Sequence, residues 1–399
     1  MTGSTDPTAA TAEPAAPVEA GGRAVHVAVV GASTSATCGV RDHATLLADA
    51  LSAENVSCST HWLDRVEGES VLATRTRIRS WARGLAAERE THRPDVVLLH
   101  YSVFSYSYRG LPLFVRPTLA ALRQEGIPLI TLLHEFAYPW GRGGLRGSAW
   151  ALSQRALLVE VMRASAAAVV TIEPRADWLS SRVWLPRRPV AFAPVFSNLP
   201  APAVGSRSDR PRAVVGLFGY SHEGAAVSLV LDAMRLLRDR GRDVELMLLG
   251  APGRCSAVGE AWLTGARTRS IAGALSFSGT LAAQELSDAL AACDVMLFAD
   301  SAGPSSRKTT LAASLASGRA VLAIDGPLAW SELIQAQVAC VVAPAPDSLA
   351  GAVEALLGDE GLRQALGERG RAFAQGRMGV ARSARVIAGL LDDVLDRPA

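Results

Sequence analysis

Four consecutive side chains, Arg307, Lys308, Thr309 and Thr310, carry the most concentrated chemistry in this 399-residue sequence: two cations, then two hydroxyls. They stand where a small, polar stretch gives way to a helix. Asp300 to Ser306 is broken by Gly303 and Pro304, and Thr309 to Ser317 is rich in Ala and Leu, ending at Gly318. A helix start presents unpaired backbone N–H groups and a partial positive charge. Cations there oppose the helix dipole, so helix stability does not explain them, whereas a bound phosphate or diphosphate would. The plainer alternative is a solvated cap with two surface charges. A P-loop is excluded, because Ala302 and Arg307 stand where that motif requires glycines before Lys308.

A second set of candidates comes from strand ends. Asp95 to Leu99 reads as a strand closing on His100-Tyr101-Ser102, and Ile127 to Leu133 as one closing on His134-Glu135-Phe136. Ligands of open α/β sheets sit at the carboxyl ends of strands, and a histidine there can donate, accept or take up a proton. Either histidine alone would equally suit a structural hydrogen bond. Gly39 opens the helix after the first strand, and Gly219 begins a glycine-bounded loop ending at Gly224. Both let a ligand approach the backbone, so they join the diphosphate candidates, although neither belongs to a Gly-x-Gly-x-x-Gly fingerprint. His100, His134 and Glu135 are therefore cleft candidates.

Two arginine-bearing segments have less definite readings. Gly141 to Gly147 is a glycine-rich loop suited to a lid, an acceptor-binding loop or a mere connector. Arg75, Arg77, Arg79 and Arg83 surround Ile78 and Trp81, as in a basic amphipathic helix that touches an anionic membrane or an acidic acceptor, or in an ordinary solvated helix face.

The elements that must position these residues alternate. Strands are expected at 25–31, 95–99, 127–133, 167–172 and 190–195, with helices at 40–53, 117–126, 150–164 and 173–181. After the Pro-rich stretch Pro200 to Pro211 the alternation restarts at 213–218 and runs to 343, followed by helices to 395. The expected fold class is therefore α/β, with two Rossmann-like domains facing across a cleft. The expected boundaries are a disordered tail at 1–24, domains at 25–200 and 212–375, a linker at 201–211, and a last helical segment at 376–399.

Composition narrows the function. A net charge of +2 gives no bulk attraction to nucleic acid, and 49% hydrophobic residues suit large cores. Five scattered cysteines cannot form a full disulfide framework and fit a reducing cytoplasm. The seven histidines show neither His-x-His nor His-Glu-x-x-His spacing, so no metal site is expected. No apolar run reaches membrane-spanning length, and the amino terminus lacks the features of a secretory signal.

The order of motifs resembles family 4 glycosyltransferases of GT-B fold. In the second half it is Phe277-Ser-Gly-Thr-Leu, Glu285-Leu, Ala292-Cys-Asp-Val and Ala316-Ser-Gly-Arg-Ala-Val; in the first half, Cys38-Gly-Val and Thr131-Leu-Leu-His134-Glu are similar to the family's segments. The resemblance implies transfer of a sugar from a nucleotide-diphosphate sugar to an unidentified acceptor, with retention and without a metal or other cofactor. The donor would sit on the second domain and the acceptor on the first, with the last helix crossing back to the first. It also implies that His134 lies beside the transferred sugar as the catalytic residue, and it adds Tyr220 and Ser305 to the cleft candidates. The sequence departs from the family at its two glutamates, where Ser305 and Ala313 stand, and at its first-loop Arg and Lys, which fall near Tyr220 and Glu223. Either Arg307 and Lys308 have taken over the diphosphate or donor binding is lost. The first is expected, since two adjacent cations at a helix start suggest no structural purpose. A nucleotide-sugar epimerase using Glu135 or Glu223, and a non-catalytic partner protein, are the competing readings.

Overall fold

The computed structural model describes residues 25–34, 38–66, 68–123, 126–203, 212–220 and 224–396. The expected tail, most of the expected linker, and Glu223 lie outside the described residues. The first domain runs β1 (Val25–Ser33), α1 (Gly39–Leu51), β2 (Val56–Asp64), α2 (Val71–Thr91), β3 (Val96–Ser102), α3 (Val115–Leu122), β4 (Leu129–Glu135), α4 (Gly144–Ala164), β5 (Ala167–Val170), α5 (Pro174–Ser180) and β6 (Val190–Phe192). The second runs β7 (Ala213–Phe218), α6 (Gly224–Asp239), β8 (Val244–Leu249), α7 (Ala257–Thr268), β9 (Leu275–Gly279), α8 (Ala283–Ala291), β10 (Val295–Phe298), α9 (Thr309–Ala316), β11 (Ala320–Ile324), α10 (Ser331–Gln335), β12 (Cys340–Val342), α11 (Pro346–Gly358) and α12 (Glu360–Arg377), and the chain ends in α13 (Val380–Leu395).

Each domain holds one six-stranded parallel sheet, ordered β2-β1-β3-β4-β5-β6 and β12-β11-β10-β7-β8-β9. Parallel strands need crossover helices, which cover both faces of the sheet. That is why β3, β5 and β10 open on continuous apolar runs such as Val96-Val-Leu-Leu99 and Val295-Met-Leu-Phe298. Strand β2 lies at the edge and is half exposed, and its Ser57, Ser59 and His61 hide it from a search for apolar runs. Strand order reverses between β1 and β3 in one sheet and between β7 and β10 in the other. Crevices open at the carboxyl ends of such strands.

The last helix returns to the first domain. Ala384, Ile387 and Leu391 of α13 are fully buried in one cluster with Val27, Leu47 and Ile130. Each fully buried aliphatic side chain there contributes about 1.5–3 kcal/mol relative to exposure. Further contacts tie the domains beside the crevices. Ser306 O accepts from Val195 N at 2.8 Å, Ser306 Oγ donates to Thr171 O at 2.8 Å, and Trp330 Nε1 donates to Glu173 at 3.2 Å. The stretch before α9 is thus docked into the first domain rather than left as an open loop.

Candidate active site at the interdomain cleft

The cleft holds two cavities. The larger, about 440 Å³, lies between the domains. Gly39, His43, Ser102, His134 and Glu135 line it from the amino side; Arg307, Lys308 and Thr309 line it from the carboxyl side. The smaller, about 120 Å³, lies within the carboxyl domain against Gly219, Tyr220, Asp300, Lys308 and Thr310. Lys308 and the start of α9 border both.

Helix α9 begins at Thr309 with Lys308 at the cap position and no side-chain cap. It shares this with helices such as α1, α4 and α13, whereas Ser70, Ser256 and Asp359 accept from the first turns of α2, α7 and α12. Leu311 N donates to Lys308 O at 3.1 Å, and the Thr309 and Thr310 N–H groups before it keep their attraction for an anion. Gly219 is what lets the β7 loop lie against this turn. Its φ is +76°, and a Cβ there would overlap the Thr310 methyl group.

The two cations have structural partners, contrary to the expectation that they would have no such role. Arg307 Nη1 contacts Glu135 Oε1 across the cleft at 2.8 Å, and Lys308 Nζ contacts Asp300 Oδ2 within its own domain at 2.6 Å. Burial pushes the Asp300 carboxyl up, but the hydrogen bond and charge of Lys308 outweigh it and hold the group below the usual range. A third cation, Arg175 on α5, escaped the sequence reading. It donates to His134 O at 3.2 Å and lies 4.8 Å over the Phe136 ring. Burial, with the charge of Arg307 beside it, lowers Arg175 to about 10, so it stays charged at neutral pH.

Across from these cations the amino wall is built of histidines. His100 and His134 end neighbouring strands, and His100 Nδ1 lies 3.1 Å from His134 Nε2, one carrying the N–H that the other accepts. His43, on α1, completes the group. It stacks on Phe196 at 4.2 Å and meets His134 edge-on at 5.1 Å. Burial lowers all three, His134 to about 4 and His43 and His100 well below the ordinary value, with the charges of His134 and His100 adding to the effect at His43 and that of His134 at His100. All three are neutral at pH 7. His43 was legible only through its place: it follows Gly39 by one helical turn and so faces the same switch point.

The remaining candidates separate. His100 is buried behind His134, and Ser305 is fully buried, lining neither cavity. Tyr220 lines the smaller cavity while its hydroxyl donates to Gly250 O and accepts from Gly253 N, which fixes the β8–α7 loop. Ala313 is buried within α9. The Gly141 to Gly147 segment runs into α4, where Gly147 sits against the Arg142 carbonyl with no room for a Cβ. Arg75, Arg79 and Arg83 are exposed on α2, and Arg77 pairs with Glu69 at 2.9 Å.

Two Rossmann-like domains across a cleft, with the last helix returning to the first, define the GT-B fold of glycosyltransferases. Residues 212–359, most of the carboxyl domain, match the family model of glycosyl transferases group 1, in line with the resemblance to family 4. No curated protein sequence matches the chain. Among solved structures, sucrose-phosphate synthase from Thermosynechococcus elongatus is similar at TM-score 0.68 and 13% identity, over 92% of this chain and 98% of that one. Anabaena HepE, solved with UDP and glucose, gives 0.65 and 15% over 92% and 99%. A putative UDP-N-acetylglucosamine 2-epimerase from Listeria monocytogenes gives 0.58 and 12% over 94% and 98%. Fold and family match together support a sugar-transfer function. Among the described residues no helix is long and apolar enough to cross a membrane.

Proposed function

We propose that the protein transfers a sugar from a nucleoside-diphosphate sugar to an acceptor bound on the amino side of the cleft, with retained anomeric configuration. The observation that carries this reading is the position of Lys308, which borders both cavities at the uncapped start of α9. A diphosphate over Lys308 places its nucleoside in the smaller cavity and its sugar in the larger. Lys308, the first-turn N–H groups and Arg307 then stabilise the charge that develops on the leaving diphosphate, the role a divalent ion fills in other transferases. That the structure of HepE holds UDP and glucose supports a donor of this class here.

His134 faces the sugar as a neutral imidazole, able to hydrogen-bond a hydroxyl without adding charge. Ser102 and Ser105 add further hydroxyls to the same cavity. Epimerisation has less support. It needs a base in the cleft, and Glu135, the one carboxylate among the described residues of the larger cavity, is engaged by Arg307.

The test is incubation of the protein with UDP-, GDP-, dTDP- and ADP-hexoses in the presence of a chelator. The expected result is release of one nucleoside diphosphate, with the freed or transferred sugar keeping its anomeric configuration by NMR. Interconversion of donor sugars without acceptor would establish the epimerase instead, and inert donors would remove the transferase reading.

A further inference from the structure

The three histidines have more in common than a hydrogen bond explains. Each has a ring nitrogen within 4.8 Å of one on both of the others. The His100–His134 contact satisfies one nitrogen on each ring. It leaves His100 Nε2 buried without a partner, and His43 Nδ1 likewise. Buried polar atoms in folded proteins are seldom left so, and the cluster keeps hydrogen-bonding and ligating capacity that its one internal contact does not use.

We propose that His43, His100 and His134 form a binding site for a borderline transition-metal ion, zinc above all, with its remaining position open to the cleft. Three imidazoles and one open position make a familiar zinc environment. At Zn–N distances of about 2.0–2.1 Å, two ligating nitrogens of a tetrahedral site lie roughly 3.3 Å apart. The 3.1 Å between His100 Nδ1 and His134 Nε2 is already close to that. A half-turn of the His43 ring about Cβ–Cγ places its nitrogens where carbons stood without changing its volume, so His43 can turn either edge of its ring to the ion. Hard cations such as magnesium prefer oxygen and are not expected here. An entry path exists, because His43 and His134 line the larger cavity. The ligands come from α1, β3 and β4, so no sequence spacing announces them.

The inference stands apart from the proposed reaction, since an inert protein with this cluster would still bind the ion. If the transferase reading also holds, zinc engages His134 and should inhibit transfer. The protein is stripped with a chelator and titrated with zinc chloride against a chromophoric zinc indicator. The expected result is one zinc per chain. His43→Gln and His100→Gln should each weaken binding by more than the roughly 10–100-fold typical of losing an outer-shell partner. His26→Gln/His61→Gln, where β1 meets the edge strand β2 of the same domain, should bind as wild type. Because a buried His100 substitution can unfold the domain, a zinc-edge X-ray absorption spectrum of the wild type provides a second reading: three imidazole nitrogens at about 2.0–2.1 Å. A wild type that binds no more zinc than the His43→Gln/His100→Gln double variant, or a spectrum with fewer than three imidazoles, overturns the site.

Discussion

The two walls of the cleft do different work with different chemistry. The carboxyl wall is charged: Lys308 and Arg307 at the start of α9, each held by a carboxylate at 2.6 and 2.8 Å. The amino wall is mainly neutral at pH 7: the buried His43 and His100 and the half-buried His134, the Ser102 and Ser105 hydroxyls, and Glu135 as its one carboxylate among the described residues. The difference follows from solvent access. Lys308 and Arg307 are part-exposed and each paired with a carboxylate, whereas three imidazoles packed together cannot each bear a charge. A charged wall suits the leaving diphosphate and a neutral wall suits the sugar, so the site divides a nucleoside-diphosphate sugar along its length.

Substitutions on the two walls should therefore fail in different ways. The largest effect is expected from Lys308→Ala. Losing a preorganised charge at the leaving group should lower transfer by about 10²–10³-fold, measured as nucleoside diphosphate released per minute. His134→Ala should lower kcat by on the order of 10²-fold while donor KM moves little. If that variant instead loses thermal stability while turnover per folded molecule is unchanged, His134 is structural and the neutral wall has no catalytic share.

The histidine wall also makes a pH prediction. His134 is lowered from the ordinary 6.5 to about 4, and His43 and His100 are lowered as well. Between roughly pH 6.5 and 4 the unfolded chain binds protons that the folded wall refuses, so stability falls as pH falls through that window. Above 6.5 these groups make no pH-dependent difference. A thermal melt series should show Tm dropping below about pH 6.5, and His43→Asn should flatten the slope. A slope unchanged by His43→Asn would mean that the cluster does not titrate as a buried group.

The smallest effect is expected from Glu135→Gln. Its contact with Arg307 crosses the cleft, but the carboxylate side chain is 43% exposed. Such a pair contributes about 0–1 kcal/mol, so Tm should shift by no more than a few degrees, with nucleotide binding retained. A larger loss would show that the pair clamps the domains rather than steering Arg307.

Much of this was legible in the sequence because parallel sheets announce themselves. Buried runs such as Val96 to Leu99 and Val295 to Phe298 mark strands, and Gly39 and Gly219 mark the turns that face the cleft. The helix start at Thr309 was readable from Gly303, Pro304 and the Ala-rich run beyond. What stayed hidden depends on where side chains meet across elements. The partners of Arg307 and Lys308 are 172 residues away and on a preceding loop, respectively, and nothing in the local sequence names them. Arg175 lies on a short helix whose only signal is Pro174. His43 sits on an otherwise ordinary amphipathic helix, and only the order of β1, β3 and β4 in one sheet brings it to His100 and His134. Edge strand β2 was missed because half exposure replaces the apolar run with alternation.

The central claim, that a nucleoside diphosphate lies over Lys308 at the border of the two cavities, is tested most directly by calorimetric titration. UDP, GDP, dTDP and ADP are titrated into the wild type, Lys308→Ala and His134→Ala. The account predicts one-to-one binding of at least one of the four to the wild type. Loss of a charge-assisted contact worth about 1.5–3 kcal/mol should weaken it roughly tenfold or more in Lys308→Ala, with His134→Ala close to wild type. Equal affinity in the wild type and Lys308→Ala, or no binding of any of the four, would contradict it.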